Sequence, residues 1–411
     1  TVSVRPFFQG NEYYYFVYQD YKDVRLVGTP PESLGKFGGD TDNWEWPRHT
    51  ADFSMFRVYA DANGNPAEYS KDNVPLQPKH FLPVSIKGVE ENDFAMILGY
   101  PGRTNRWMPA GGIEQNVKFA YPAWVEGAKT GMDVMKRYMD KDETVKLEYA
   151  SKYASTANYW KNRQGMIDAL TKAGTAKTKE KEEAKFNAWA NKKTNKAKYG
   201  KVIATINDYY AQTNLKTSHD NYLSQLMRTS AYGAAPANIG NSLIAYYKEN
   251  EAKRKEIIPR LNGLIENVYG KFYAPLEKDV FAAQLNLYTS KGAAYGLPEA
   301  IAKLKAENKG DFNAYVNMAV AKSIFATKES VLAFMKDPKP ENITNDPLYV
   351  VSNELSVKMR ARSAEQVKAA DDFEIAFRNL VAGLRESKMN SIKYPDANST
   401  LRLTYGKVRA L

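Results

Sequence analysis

The chain has 411 residues, 43% of them hydrophobic and 26% charged, which excludes a disordered tail and allows two or three cores. It contains no cysteine, which excludes thiol catalysis, disulfides and cysteine-ligated zinc. The net charge is +11, with residues 1–110 net negative (−3) and the rest net positive (+14); a lysine-rich helical face explains the excess, no nucleic-acid-binding signature accompanies it, and nucleic acid is not an expected partner.

Residues 1–110 read as β structure, with short apolar runs between Gly, Pro and Asn turns. Tyr13-Tyr14-Tyr15-Phe16-Val17-Tyr18 reads as a buried strand, Val24-Arg25-Leu26-Val27 as a strand, and Phe53–Tyr59 as another. Asp61-Ala62-Asn63-Gly64-Asn65 reads as a hairpin turn. Phe94–Tyr100 reads as a buried strand ending at Pro101-Gly102. From about Gly111, apolar residues recur every three or four positions, as in the stripe Val202, Ile203, Ile206, Tyr209, Tyr210. Lys172–Lys201 reads as an exposed helical hairpin, Gly240-Asn241-Ser242 as a helix cap and Pro338-Lys339-Pro340 as a loop. Strand texture returns at 400–405. The expected organisation is therefore an inserted helical domain, 111–392, between β segments 1–110 and 393–411. No apolar run approaches ~18 residues, so no membrane span is expected.

The richest candidate site is the loop 38–53, with paired glycines, Asp40, Asp42, Glu45, Arg48, His49 and Asp52. Asp40 and Asp42 have the first spacing of a calcium loop, but Trp44 and Glu45 break it, and no metal site is expected. His49 near Asp52 suggests an acid/base pair. Positions three apart on a strand face opposite sides, however, which favours a structural histidine. There is no Gly-x-Ser-x-Gly elbow, phosphate loop or dinucleotide fingerprint, and no cofactor is expected.

The stretch Phe37-Gly38-Gly39-Asp40-Thr41-Asp42-Asn43-Trp44-Glu45-Trp46-Pro47-Arg48-His49-Thr50-Ala51-Asp52-Phe53 resembles the signature of the bacterial dipeptidyl-peptidases 7 and 11, serine peptidase family 46. Lys22–Val27, Leu98–Thr104, Ala157–Asn162 and Tyr394–Arg402 are similar to that family as well. The resemblance implies an α+β fold: part of a chymotrypsin-like double β-barrel with a large inserted all-α capping domain. It implies a serine-type enzyme that releases dipeptides from oligopeptides with a free N-terminus. It makes Asp52 the triad carboxylate, which would hold the catalytic imidazole in its productive tautomer. It makes Asn43, Trp44 and Asn158 the clamp for the substrate's α-amino group. The chain is expected to be an internal fragment, inactive alone, with the triad His before Thr1 and the Ser beyond Leu411. A homodimer in the periplasm or at the cell surface is also implied. The rival readings are a non-catalytic peptide-binding relative and a helical scaffold without activity.

Overall fold

Runs of β-branched and aromatic residues form three small antiparallel sheets. The computed structural model describes residues 1–410; Leu411, the end of the expected returning segment, lies outside them. Strands β1 (Val2–Phe7) and β2 (Glu12–Val17) form a hairpin with Val2 opposite Val17. Strands β3 (Val24–Gly28), β4 (Met55–Ala60) and β5 (Val74–Pro75) pair in that order. Strand β6 (Phe94–Gly99) pairs with β7 (Arg402–Lys407), Phe94 opposite Lys407.

The strands expected at Tyr13–Tyr18 and Phe94–Tyr100 exist, but they are not buried. Tyr15 is 76% exposed and Ile97 67% exposed. Each belongs to a two-stranded sheet, and a sheet face becomes buried only when a second layer covers it. An apolar run records that a face is suited to burial. It does not identify the cover.

The sheet β3-β4-β5 has an internal polar anchor. Asp23, 2% exposed, accepts two hydrogen bonds from Arg25, at 2.9 and 2.8 Å, and one from Asn73 Nδ2 at 2.8 Å. The Arg25 guanidinium lies 3.7 Å over the Tyr59 ring on β4 and donates to the Ser70 carbonyl. Those donors, Arg25 first and against the cost of burial, hold the Asp23 carboxyl down at about 2.

Helices dominate the rest of the chain. The longer ones are α1 (Tyr121–Met139), α2 (Glu143–Lys172), α3 (Thr175–Ala190), α4 (Val202–Thr229), α5 (Ala231–Lys248), α6 (Glu251–Tyr269), α7 (Ala274–Lys291), α8 (Pro347–Arg360) and α9 (Ala364–Glu386). The chain divides into two units. One comprises Thr1–Pro109, Lys181–Thr205 and the segment from Phe373 onward; the other comprises Ala110–Glu180 and Ile206–Asp372.

The core of the second unit collects Leu223 and Leu226 of α4, Tyr232 of α5, Phe281 and Leu285 of α7, and Val351 of α8, all buried. Each such side chain contributes about 1.5–3 kcal/mol by leaving water. Helices α4 and α5 meet closely at Gly233, where any Cβ would lie 2.3 Å from the Leu226 carbonyl oxygen. The start of α5 corrects one expectation. Gly240-Asn241-Ser242 lies inside the helix, and the cap is Ser230, whose Oγ accepts from the Tyr232 N–H at 3.2 Å. An apolar stretch was visible there, but the helix begins nine residues before Gly240, among small residues that carry little periodic signal.

The lysine-rich segment Lys172–Lys201 also departs from expectation. It forms α3 and a short helix, Lys196–Tyr199, but it is not a free hairpin. Phe186, Ala190 and Tyr199 are buried, and Phe186 packs at Gly383 of α9. Most of the charges of this segment lie on its outer face, while Glu183 is buried with Phe186 and Ala190 on the packed one.

Candidate active site

The loop that carries most of the expected site residues is organised around one carboxylate. The Gly38 N–H donates to the His49 carbonyl at 3.0 Å, which closes the loop at its base. Inside it, Asp42 turns back on the base. Its Oδ2 accepts from the His49 N–H at 2.5 Å and lies 3.2 Å from His49 Nδ1. That path runs directly over Gly38, where a Cβ would sit 1.9 Å from Asp42 Oδ2. Only glycine fits this position. Gly39, at φ +54, takes the left-handed turn that follows.

His49 is therefore engaged by Asp42 and not by Asp52. The Asp42–His49 pairing was not visible in the sequence, because a seven-residue spacing across an irregular loop has no periodic signature. Asp52 is exposed and lies three residues before the start of β4. The contact of the Ala51 N–H with the Leu34 carbonyl, at 3.1 Å, ties down its approach to the strand. Asn43 is half-buried and Trp44 is 57% exposed, with Trp44 at φ +61. A positive φ on a large aromatic residue is costly, so the surrounding loop must hold it. The peptide bond Trp46–Pro47 is cis.

Asn158 is half-buried on α2, in the second unit, whereas Asn43, Trp44 and Asp52 belong to the first. The position of α2 is set by Glu277 of α7. This carboxylate is 2% exposed, and its Oε1 accepts from Tyr149 Oη at 2.9 Å and from Lys152 Nζ at 2.8 Å. Its Oε2 accepts from the Ala231 N–H at 2.7 Å. Tyr149 Oη in turn accepts from the Tyr273 N–H at 3.0 Å. Burial, first, and the Glu277 charge raise the Tyr149 phenol far above its ordinary value, so it remains a donor. Asp142 begins α2 by accepting from the Thr144 and Val145 N–H groups, at 2.8 and 3.2 Å. Glu277 was missed from the sequence. Its signal was a lone acidic residue among Leu276, Val280 and Phe281, on the buried face of α7.

Two further segments interlock within the first unit. Asp396 accepts from Thr104 Oγ1 and from the Arg106 N–H, both at 2.7 Å, and the Ala397 N–H donates back to Thr104 Oγ1 at 2.8 Å. Arg402 braces the turn through the Pro395 and Asp396 carbonyls, each at 2.9 Å.

The chain thus combines small antiparallel sheets, a braced polar loop and a large helical unit. The chain matches the Peptidase S46 family over residues 1–411 and belongs to that family. It is 52% identical to a dipeptidyl-peptidase 7 of Capnocytophaga gingivalis, over 100% of this chain and 57% of that protein. It is 35% identical to an Asp/Glu-specific dipeptidyl-peptidase of Porphyromonas gingivalis, again over 100% of the chain and 57% of the relative. The crystal structure of Porphyromonas endodontalis DPP11 in complex with the dipeptide Arg-Glu matches with a TM-score of 0.88 and 35% identity, covering 99% of this chain and 58% of that one. The same relative in an alternate conformation matches with a TM-score of 0.69. The chain thus spans a little over half the length of the relatives it matches.

Proposed function

We propose that this chain is part of a serine-type dipeptidyl-peptidase, which removes dipeptides from the free N-terminus of oligopeptides. The observation that carries this reading is the 52% identity to a dipeptidyl-peptidase 7 along the entire chain. The likeness to a relative solved with a bound dipeptide supports it further. In this reading the small sheets are parts of a chymotrypsin-like β framework, and the helical unit is the cap inserted into it. The whole protein works in the periplasm or at the cell surface, as a homodimer.

Asp52 is the triad carboxylate: it accepts the N–H of the catalytic imidazole and stabilises imidazolium as the serine attacks. The Asp42-braced loop presents Asn43 and Trp44, and α2 presents Asn158. The two amide oxygens accept from the substrate's ammonium group without adding charge, and the indole packs beside it. A clamp at fixed distance from the nucleophile counts off two residues, so cleavage yields dipeptides.

The test uses the whole enzyme with one peptide in free and N-acetylated forms. The free peptide should be cleaved and the acetylated one poorly. Asn43→Ala and Asn158→Ala should lower kcat/KM for the free peptide by about 10- to 150-fold, from about 1.5–3 kcal/mol per charged hydrogen bond. Asp52→Ala should lower kcat by roughly 10⁴-fold. Equal cleavage of both peptides would remove the clamp and the dipeptidyl assignment with it.

A further inference from the structure

The helical unit contains a cleft of about 160 Å³ between α1, α2 and α4. Trp124, Lys152, Thr156, Tyr159, Gln225 and Arg228 form most of its wall, and no acidic residue lines it. Arg228 is exposed at the rim. One helical turn beyond Tyr159, the half-buried Arg163 guanidinium stacks 4.3 Å over the Trp124 ring and 5.6 Å from that of Tyr159. Among the described residues, neither arginine has a carboxylate partner. Lys152, the third cation, is already engaged by Glu277. Burial pulls the Arg163 guanidinium below its ordinary value, and the positive charge of Arg228 acts in the same direction.

The floor of the cleft carries a second imbalance. Gln225 is 2% exposed, and its Nε2 has no acceptor among the described residues. A buried donor without an acceptor is unfavourable. Two unneutralised guanidinium groups and an unpaired amide donor are relieved by the same visitor, an anionic acceptor. A planar carboxylate matches the forked donors of arginine, and the rings of Trp124 and Tyr159 suit an organic stem rather than an inorganic ion.

We propose that this cleft binds a carboxylate carried on a short carbon stem, with Arg228 as its ion-pair partner, the Gln225 amide as a hydrogen-bond donor and the Trp124 and Tyr159 rings beside the stem. The site is separate from the peptidase reading and stands without it. The stem belongs either to a free small acid or to an acidic side chain of a peptide.

Calorimetric titration of the 411-residue chain tests this. Glutarate represents the free acid, and acetyl-Ala-Glu-amide the peptide side chain. Glutaramide and acetyl-Ala-Gln-amide are the neutral controls, and inorganic phosphate the control for charge alone. At least one acid should bind about tenfold or more tightly than its neutral control, and which acid binds better identifies the source. Arg228→Met and Gln225→Leu should each weaken that acid about tenfold, with circular dichroism reporting an unchanged fold. Arg228 is exposed, so its variant decides the matter if Gln225→Leu does not fold. Absence of heat, equal binding of acid and amide, phosphate binding tighter than both acids, or acid binding unchanged in Arg228→Met would each overturn the proposal.

Discussion

Replacing Glu277 with alanine should destabilise the helical unit strongly. The substitution leaves three donors without their acceptor: the Tyr149 hydroxyl, the Ala231 N–H and the Lys152 ammonium. Lys152 is about one-third exposed, so water replaces much of its loss. Tyr149 is buried, and an unpaired buried donor costs about 1–3 kcal/mol. With the Ala231 N–H unpaired as well, we expect Glu277→Ala to cost about 2–6 kcal/mol. Tyr149→Phe removes one hydroxyl and should cost about 1 kcal/mol. Glu277→Leu combined with Tyr149→Phe should cost less than the sum of Glu277→Leu and Tyr149→Phe alone, because in the pair neither the carboxylate nor the phenol is left facing a missing partner, while the Ala231 N–H and Lys152 are unpaired with or without the phenol. Urea unfolding followed by far-ultraviolet circular dichroism measures the parent and each of these variants. A Glu277→Ala variant within 1 kcal/mol of the parent would refute the view that this carboxylate anchors α2. In the whole enzyme the same variant should raise KM more than it lowers kcat. Asn158 lies six residues along α2 from Lys152, a rise of about 9 Å, and would lose its fixed position.

Other tests address the loop and the small sheet. His49→Gln in the whole enzyme should leave kcat within a few-fold, since His49 is engaged by Asp42; a fall of roughly 10⁴-fold would assign it a place in the triad instead. Gly38→Ala should displace Asp42 and open the loop, detected as faster limited proteolysis within 37–53; unchanged cleavage would contradict the close approach. Asp23 has a folded value of about 2 against an ordinary 3.8, so its ionised form is favoured by folding. Its contribution is fully present above about pH 3.8 and is lost as the pH falls towards 2. The stability gap between the parent and Asp23→Asn should therefore narrow across that window, and a constant gap would disprove the linkage.

The elements legible in the sequence were those whose signal is local. The strands at β3, β4, β6 and β7 and the long helical region follow from short apolar runs between turns, from the alternation at 400–405 and from the 3.6-residue period. The exposure of Tyr15 and Ile97 did not follow, since what covers a face is a property of another segment. The partners of Asp42 and Glu277 were hidden for the same reason: one acts across an irregular loop, and the other joins helices more than a hundred residues apart. The stretches Leu98–Thr104 and Tyr394–Arg402 were both singled out by resemblance, yet nothing in either shows that they bind each other.

That clasp has a consequence for the order of folding. Thr104 and Asp396 are separated by 292 residues. At a synthesis rate of about 5–20 residues per second, Thr104 is made roughly 15–60 s before its partner exists. Throughout that interval β6 has no β7, and the backbone N–H and C=O groups of that edge have no strand to pair with. Closing so long a loop in a flexible chain would cost about 5 kcal/mol in entropy, so the helices between must condense first to shorten it. Holdase chaperones should therefore engage nascent chains that end between residues 110 and 401, and release them once Lys407 has emerged.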